Sequence, residues 1–120
     1  MSLTPLTALS PVDGRYASRC ADLRAIFSEN GLIRARIRVE IGWLHALAGE
    51  RRIQEMQGIT TADLALAQQV VDGFSDADAT AVKAFERETN HDVKAVEYLV
   101  KQKLGAHPAW VSRLEFVHFA

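Results

Sequence analysis

Hydrophobic side chains recur every three or four positions along most of this chain, which is the period of an α-helix. The longest such pattern covers residues 32–49. Its apolar face consists of Ile33, Ile37, Ile41, Leu44 and Ala48. Val39, Trp43 and Leu47 widen the apolar band. The pattern therefore predicts one long helix that is covered on more than one side.

Capping and turn residues predict where the neighbouring helices begin. Ser18 is predicted to cap a short helix over residues 19–27, whose apolar face carries Leu23, Ile26 and Phe27. Residues 29–31, Glu-Asn-Gly, are either a turn or the start of the long helix.

The middle of the chain contains two further helix starts. Thr61 is predicted to cap a helix that ends at Gly73, since glycine commonly follows the last helical turn. Ser75 is followed three residues later by Asp78, a spacing that resembles a capping box.

Asn90 is predicted to be the N-cap of a helix that ends at Gly105, and Pro108 is predicted to open a last helical segment. No segment shows the alternation of apolar and polar residues that is typical of a strand. The fold class is therefore predicted to be all-α.

Turn-forming residues are concentrated at the N-terminus, where Pro5, Pro11 and Asp13-Gly14 lie. The predicted organisation is an irregular N-terminal arm over residues 1–17 and a helical domain over residues 18–120. The C-terminal residues 114–120 are strongly apolar, whereas chain ends are usually polar. Either this C-terminal tail packs tightly against the rest of the chain, or the chain is a fragment of a longer protein.

Composition excludes several function classes. The formal net charge of −1 gives no basic field for nucleic acid, and Arg34, Arg36 and Arg38 are interpreted as a solvated helix face. The single cysteine, Cys20, allows no disulfide within the chain. No apolar run approaches the ~20 residues that span a bilayer, and the N-terminus lacks a secretory signal. We expect a cytoplasmic protein without a membrane partner.

Candidate chemistry is concentrated in Asn90, His91 and Asp92. Capping by Asn90 and the helix dipole acting on Asp92 give both residues a purely structural explanation. Neither explains His91, because a helix start disfavours a charged histidine. A neutral imidazole at that place is a useful ligand-binding or catalytic group, although an ordinary surface histidine is the alternative.

Arg15 and Tyr16 directly follow the Asp13-Gly14 turn. A guanidinium group matches two phosphate oxygens, so this pair could bind a phosphate. The alternative is a surface loop in which Arg15 is ion-paired with Asp13.

The remaining histidines give weaker signals. His45 is predicted to be structural, His107 to be exposed, and His118 is ambiguous. Metal-ligand spacing, a P-loop and a dinucleotide signature are absent from the sequence, so neither a metal nor a cofactor is predicted.

Three segments together resemble the bacterial adenylosuccinate lyase family of the fumarase/aspartase superfamily. Residues 10–16 read Ser-Pro-Val-Asp-Gly-Arg-Tyr. Residues 86–98 read Glu-Arg-Glu-Thr-Asn-His-Asp-Val-Lys-Ala-Val-Glu-Tyr. The chain closes with Glu-Phe-Val-His-Phe-Ala, a stretch that in the family leads into a T-S-E-D-type motif. The resemblance covers essentially the whole chain.

This resemblance implies β-elimination of fumarate from adenylosuccinate, which gives AMP, and from the succinylated ribotide SAICAR, which gives AICAR, in purine biosynthesis. It also implies a homotetramer whose active sites draw residues from three subunits. Arg15 and Tyr16 would bind the nucleotide phosphate, and Asn90, His91 and Asp92 would line the substrate pocket.

The sequence also departs from the family pattern. The T-S-E-D motif, the region with the catalytic histidine and the G-S-S-x-M-P-x-K loop with the catalytic serine are not in this chain. The resemblance therefore implies an N-terminal domain that holds no principal catalytic residue and is inactive alone, with His91 as an auxiliary group. As a fragment it is expected to be a monomer or a weak dimer.

Two alternatives remain open at this point. The chain could be a freestanding helical module that binds a partner through its apolar tail. It could also belong to another fumarate-releasing lyase of the superfamily, such as one acting on argininosuccinate. The presence of Arg15 and Tyr16 disfavours a lyase acting on argininosuccinate, because that substrate has no phosphate for them to bind.

Overall fold

The computed structural model describes residues 2–119, and all regular structure in this range is helical. The all-α prediction is confirmed. The α-helices are α1 (Arg24–Phe27), α2 (Glu29–Ala48), α3 (Thr61–Asp72), α4 (Asp76–Thr89), α5 (Asp92–Leu104) and α6 (Pro108–Val111). Short 3₁₀ helices cover Ala17–Leu23, Gln54–Met56 and Leu114–Phe116. Among the described helices, none is long and apolar enough to cross a bilayer.

The chain divides into two compact units, Met1–Leu32 and Ile33–Ala120. This division follows the contacts within each unit. The expected boundary after residue 17 stays a prediction. Helix α2 starts in the first unit and supplies the first helix of the second.

Short-range hydrogen bonds organise the N-terminal unit. The Asp13 carboxylate accepts a hydrogen bond from the Ser10 backbone N–H at 2.8 Å. The expected helical segment begins as a 3₁₀ helix at Ala17, and Tyr16 precedes it without a side-chain cap. The prediction that Ser18 caps this segment is therefore wrong, because the 3₁₀ helix begins at Ala17 and Ser18 lies inside it.

Residues 29–31 are the start of α2, which resolves the alternatives for this segment. The Ser28 hydroxyl caps the helix by accepting a hydrogen bond from the Gly31 N–H at 3.1 Å. A Cβ at position 31 would lie 2.5 Å from the Ile26 carbonyl oxygen. Only glycine allows the chain to pass so close to the preceding helix.

The second unit is built around a hydrophobic core. Its buried side chains come from α2, α3, α4, α5, α6 and the segments beside them. They are Ile33, Ile37, Ile41, Leu44, Leu47, Met56, Ala67, Val71, Val82, Ala95, Val96, Leu99, Val100, Leu104, Trp110 and Val117. The predicted face of α2 is thus the core face. Val39 and Trp43 remain 47% and 38% exposed, so the prediction of a second covered side holds only for Leu47.

Capping boxes begin α3 and α4. The cap of α3 is Thr60, whose side chain accepts a hydrogen bond from the Asp63 N–H at 3.1 Å, so the prediction of Thr61 is wrong by one residue. Only Thr60 stands three residues before an acid that can bond back to it. The predicted capping box of Ser75 and Asp78 is present, and Gly73 ends α3 as predicted.

The C-terminal residues fold back onto the second unit. Trp110 is fully buried, and its indole N–H donates to the Asp63 carbonyl at 2.9 Å. The Phe119 N–H donates to the Glu40 carboxylate at 3.1 Å, and the Phe119 ring contacts Trp43 edge-on. The apolar tail therefore docks over the range that the structure describes. Gly105 ends α5 and Pro108 opens α6, as predicted.

Candidate functional site

The junction of α4 and α5 carries the three predicted site residues of the second unit. Asn90 has the left-handed backbone conformation, with φ 52° and ψ 35°. Its N–H donates to the Glu86 carbonyl at 2.7 Å, which makes it the C-cap of α4. The prediction that Asn90 caps the start of α5 is therefore wrong. The reason is that the chain reverses here, and asparagine tolerates this conformation better than most other residues.

His91 is the actual N-cap of α5. Its Nδ1 accepts a hydrogen bond from the Lys94 backbone N–H at 3.1 Å. An accepting Nδ1 carries no proton, so the neutral ring carries its proton on Nε2. This arrangement gives His91 a structural role that the sequence alone did not assign, and it leaves an Nε2–H donor on an exposed side chain.

Asp92 is the first residue of α5, as predicted for a carboxylate in the first turn. It accepts a hydrogen bond from the Val93 N–H at 2.9 Å and forms an ion pair with Arg36 of α2 at 2.9 Å. The hydrogen bond from Arg36 lowers the pKa of Asp92. The ion pair fixes the start of α5 against α2.

A polar hollow of about 510 Å³ opens beside this junction. It is lined by Thr89, His91, Lys94, Glu97, Tyr98 and His118. The Tyr98 ring lies 5.9 Å from the Phe85 ring, which supports one side. The hollow brings His91 together with four side chains that the sequence analysis did not select and with the ambiguous His118.

Glu97 is completely buried at this hollow. Its Oε2 accepts a hydrogen bond from the Lys94 ammonium at 2.8 Å and lies 3.3 Å from the His118 Nδ1. Burial raises the pKa of Glu97, but the bonds with Lys94 and His118 outweigh burial and hold the pKa below its usual value. The same contact with Glu97 raises the pKa of Lys94.

The spacing of several residues that line the hollow could have indicated from the sequence that they lie together. His91, Lys94 and Tyr98 follow one another at three and four residues and so share a helix face. Lys94 and Glu97 have the spacing of a helical ion pair. The burial of Glu97 had no sequence signal, because glutamate is rarely buried.

Arg15 and Tyr16 lie together in the N-terminal unit. The guanidinium carbon of Arg15 stands 4.7 Å from the centre of the Tyr16 ring, which is a cation–π distance. Arg15 is not ion-paired with Asp13 in the described chain, since Asp13 accepts hydrogen bonds from Ser10 instead. Both Arg15 and Tyr16 are exposed.

The described residues contain no group of three or more histidine, cysteine, aspartate or glutamate side chains that could hold a metal ion. Cys20 is a free, half-buried thiol. His45 lies within α2 and is half-buried, and His107 precedes α6 and is half-buried rather than exposed as predicted.

The described residues form an all-α segment with a polar junction between α4 and α5. No protein-family model matches the chain. Curated relatives match it over all 120 residues: the adenylosuccinate lyases of Escherichia coli K12, at 46% identity, and of Haemophilus influenzae Rd and Vibrio cholerae O395, at 48% each.

The chain spans 26% of the length of these relatives and corresponds to their N-terminal segment. The resemblance inferred from the sequence motifs is confirmed: along its whole length, the chain is similar to the N-terminal part of adenylosuccinate lyases.

Proposed function

We propose that this chain is the N-terminal part of an enzyme that eliminates fumarate from adenylosuccinate and from SAICAR, with a role in purine biosynthesis. The observation that carries the proposal is the similarity of the whole chain, at 46–48% identity, to proteins named adenylosuccinate lyase. The proposed organisation is an N-terminal arm over residues 1–17 and a helical domain over residues 18–120.

Two groups of residues would bind the substrate. Arg15 and Tyr16 would contact the nucleotide phosphate, since the guanidinium supplies paired donors and the adjacent phenol a further one. Asn90, His91 and Asp92 would line the pocket for the rest of the substrate. The exposure of Arg15 and of His91, whose Nδ1 rather than Nε2 caps α5, supports these roles.

The elimination itself needs a base beside the succinyl carboxylates and an acid at the leaving nitrogen. His91 is suited to donate a hydrogen bond to the substrate from Nε2, because its Nδ1 is occupied by the Lys94 N–H. The residues that move the protons would come from the rest of the protein and, in a homotetramer, from other subunits. A cytoplasmic location stays a prediction.

The test is a fumarate-release assay on the full-length protein with adenylosuccinate, SAICAR and argininosuccinate as separate substrates. The proposal predicts release from the first two and none from argininosuccinate. Release from argininosuccinate alone would assign the protein to another lyase of the superfamily. The absence of release from all three would contradict the proposal and favour a helical interaction module.

A further inference from the structure

We propose that Lys94 is a substrate-binding residue that contacts an anionic group of the ligand, and that buried Glu97 positions its ammonium group. This inference deepens the proposed function and rests on it. It concerns the polar hollow beside α5, where neither residue belongs to the three-residue junction of Asn90, His91 and Asp92.

The depth of the two side chains differs in the way that this role requires. The Glu97 side chain is 0% exposed, whereas the Lys94 side chain is 34% exposed. The carboxylate therefore lies below the surface of the hollow and the ammonium reaches it. Although the pair is neutral overall, the group that a ligand meets is the cation.

The Lys94 ammonium also has at least one N–H donor that is not used within the structure. An ammonium group carries three N–H donors. Its contacts in the structure are the Glu97 Oε2 at 2.8 Å and the His118 Nδ1 at 3.2 Å. At least one N–H therefore remains for a phosphate or carboxylate oxygen, and a charge-assisted bond of that kind is stronger than a neutral one.

Two other accessible groups of the hollow can donate as well. The exposed His91 ring presents Nε2–H, and Tyr98 adds a hydroxyl group, whereas the Thr89 hydroxyl already donates to the His91 carbonyl at 3.3 Å. The hollow lies at the N-terminal end of α5, where the helix dipole favours negative charge. Together these groups match an anion rather than a cation or an apolar ligand.

The buried carboxylate gives a second indication that the pair is functional. The Glu97 side chain is 0% exposed, and both of its oxygens lie within 3.3 Å of a side-chain nitrogen, Oε2 near Lys94 and Oε1 near the His118 Nδ1. A buried ion pair of this kind is often no more stabilising than apolar side chains of similar volume. Stability alone therefore does not favour a buried glutamate beneath Lys94.

The experiment uses the full-length protein and the matched variants Lys94→Met and Lys103→Met. Both lysines lie on α5 and both pair with a buried carboxylate at 2.8 Å, Lys94 with Glu97 and Lys103 with Asp78. Lys103 does not line the hollow, so its replacement measures the loss of an ion pair alone.

Lys94→Met is expected to raise the KM for adenylosuccinate by about tenfold or more, the size expected for a lost bond to a charged group, and to change kcat less. Lys94→Arg should restore most of the affinity. Glu97→Gln should raise KM as well, because the ammonium loses its anchor. Lys103→Met should leave KM unchanged.

Product inhibition identifies the anionic group. A weakened inhibition by AMP in Lys94→Met assigns the phosphate, and a weakened inhibition by fumarate assigns a carboxylate. Either result supports the inference. If the wild type releases fumarate but Lys94→Met and Lys103→Met have equal KM values and equal inhibition, the inference about Lys94 is overturned. A wild-type protein that releases no fumarate would instead overturn the proposed function.

Discussion

Residues 2–32 hold their conformation with short-range hydrogen bonds, whereas residues 33–119 bury a continuous hydrophobic core. Leu6 and Leu9 of the first unit are each 97% exposed, while Ile37 and Leu44 of the second are 0% exposed. The same residue type therefore contributes very differently to stability in the two units. The second unit carries the stability of the chain, and the apolar side chains of the first are free for contacts outside it.

The largest expected difference concerns leucines. Leu44→Ala removes a fully buried side chain and should lower the free energy of unfolding by about 2–5 kcal/mol. Leu9→Ala removes an exposed one and should change it by less than about 0.5 kcal/mol. Urea unfolding of the 120-residue chain measures both. Equal losses would mean that the first unit shares in a buried core.

Two glycines of α2 compare a closely packed position in the first unit, Gly31, with an open position in the second, Gly42. A Cβ at Gly31 would lie 2.5 Å from the Ile26 carbonyl oxygen, so Gly31→Ala should cost about 1–3 kcal/mol. Gly42 has no neighbouring atom within 4 Å of such a Cβ, so Gly42→Ala should instead stabilise the helix by up to about 1 kcal/mol. Thermal unfolding of both variants gives the comparison. A stabilised Gly31→Ala variant would refute the close approach.

Removing the cap of α5 should have an effect of about 1 kcal/mol. His91→Ala loses the acceptor for the Lys94 N–H, whereas His91→Asn retains one, because asparagine is a good N-cap. Only the alanine variant should therefore be less stable in urea unfolding. Both variants should bind substrate more weakly in the full-length protein. Normal substrate affinity in His91→Asn would leave His91 with a structural role only.

Acid should destabilise the second unit through Glu97. A pKa lowered by folding contributes stability above the unfolded-state pKa, which is about 4.3 for glutamate, and this contribution is lost as pH falls through the lower folded value. The free energy of unfolding should therefore fall below about pH 4.3, less steeply in Glu97→Gln than in the unchanged chain. Parallel pH profiles for the two proteins would contradict this assignment.

Helix faces and helix ends also differ in what the sequence could predict. The core face of α2 followed directly from the helical period of its isoleucines, because a regular helix needs no knowledge of its neighbours to place them. The helix ends were less certain wherever two adjacent residues could cap. Thr60 and Thr61 are identical, and only the acid at position 63 separates them.

Asn90 and His91 show the same limit at the candidate site. Both are capable of accepting a hydrogen bond from the first turn of α5. The choice depends on the reversal of the chain between α4 and α5, which places Asn90 in the left-handed conformation and moves the cap to His91. The polar hollow could not be predicted from the sequence either, because His118 reaches Glu97 only after the C-terminal segment folds back.

The proposed function assigns Arg15 a contact with the phosphate of a nucleotide. The most direct test is the calorimetric affinity of the full-length protein for AMP and for adenosine, in the wild type and in Arg15→Ala. We expect the wild type to prefer AMP over adenosine by about tenfold or more, as expected for a charge-assisted bond. Arg15→Ala should lose most of this preference. An Arg15→Ala variant that keeps the full preference for AMP would show that Arg15 does not bind the phosphate.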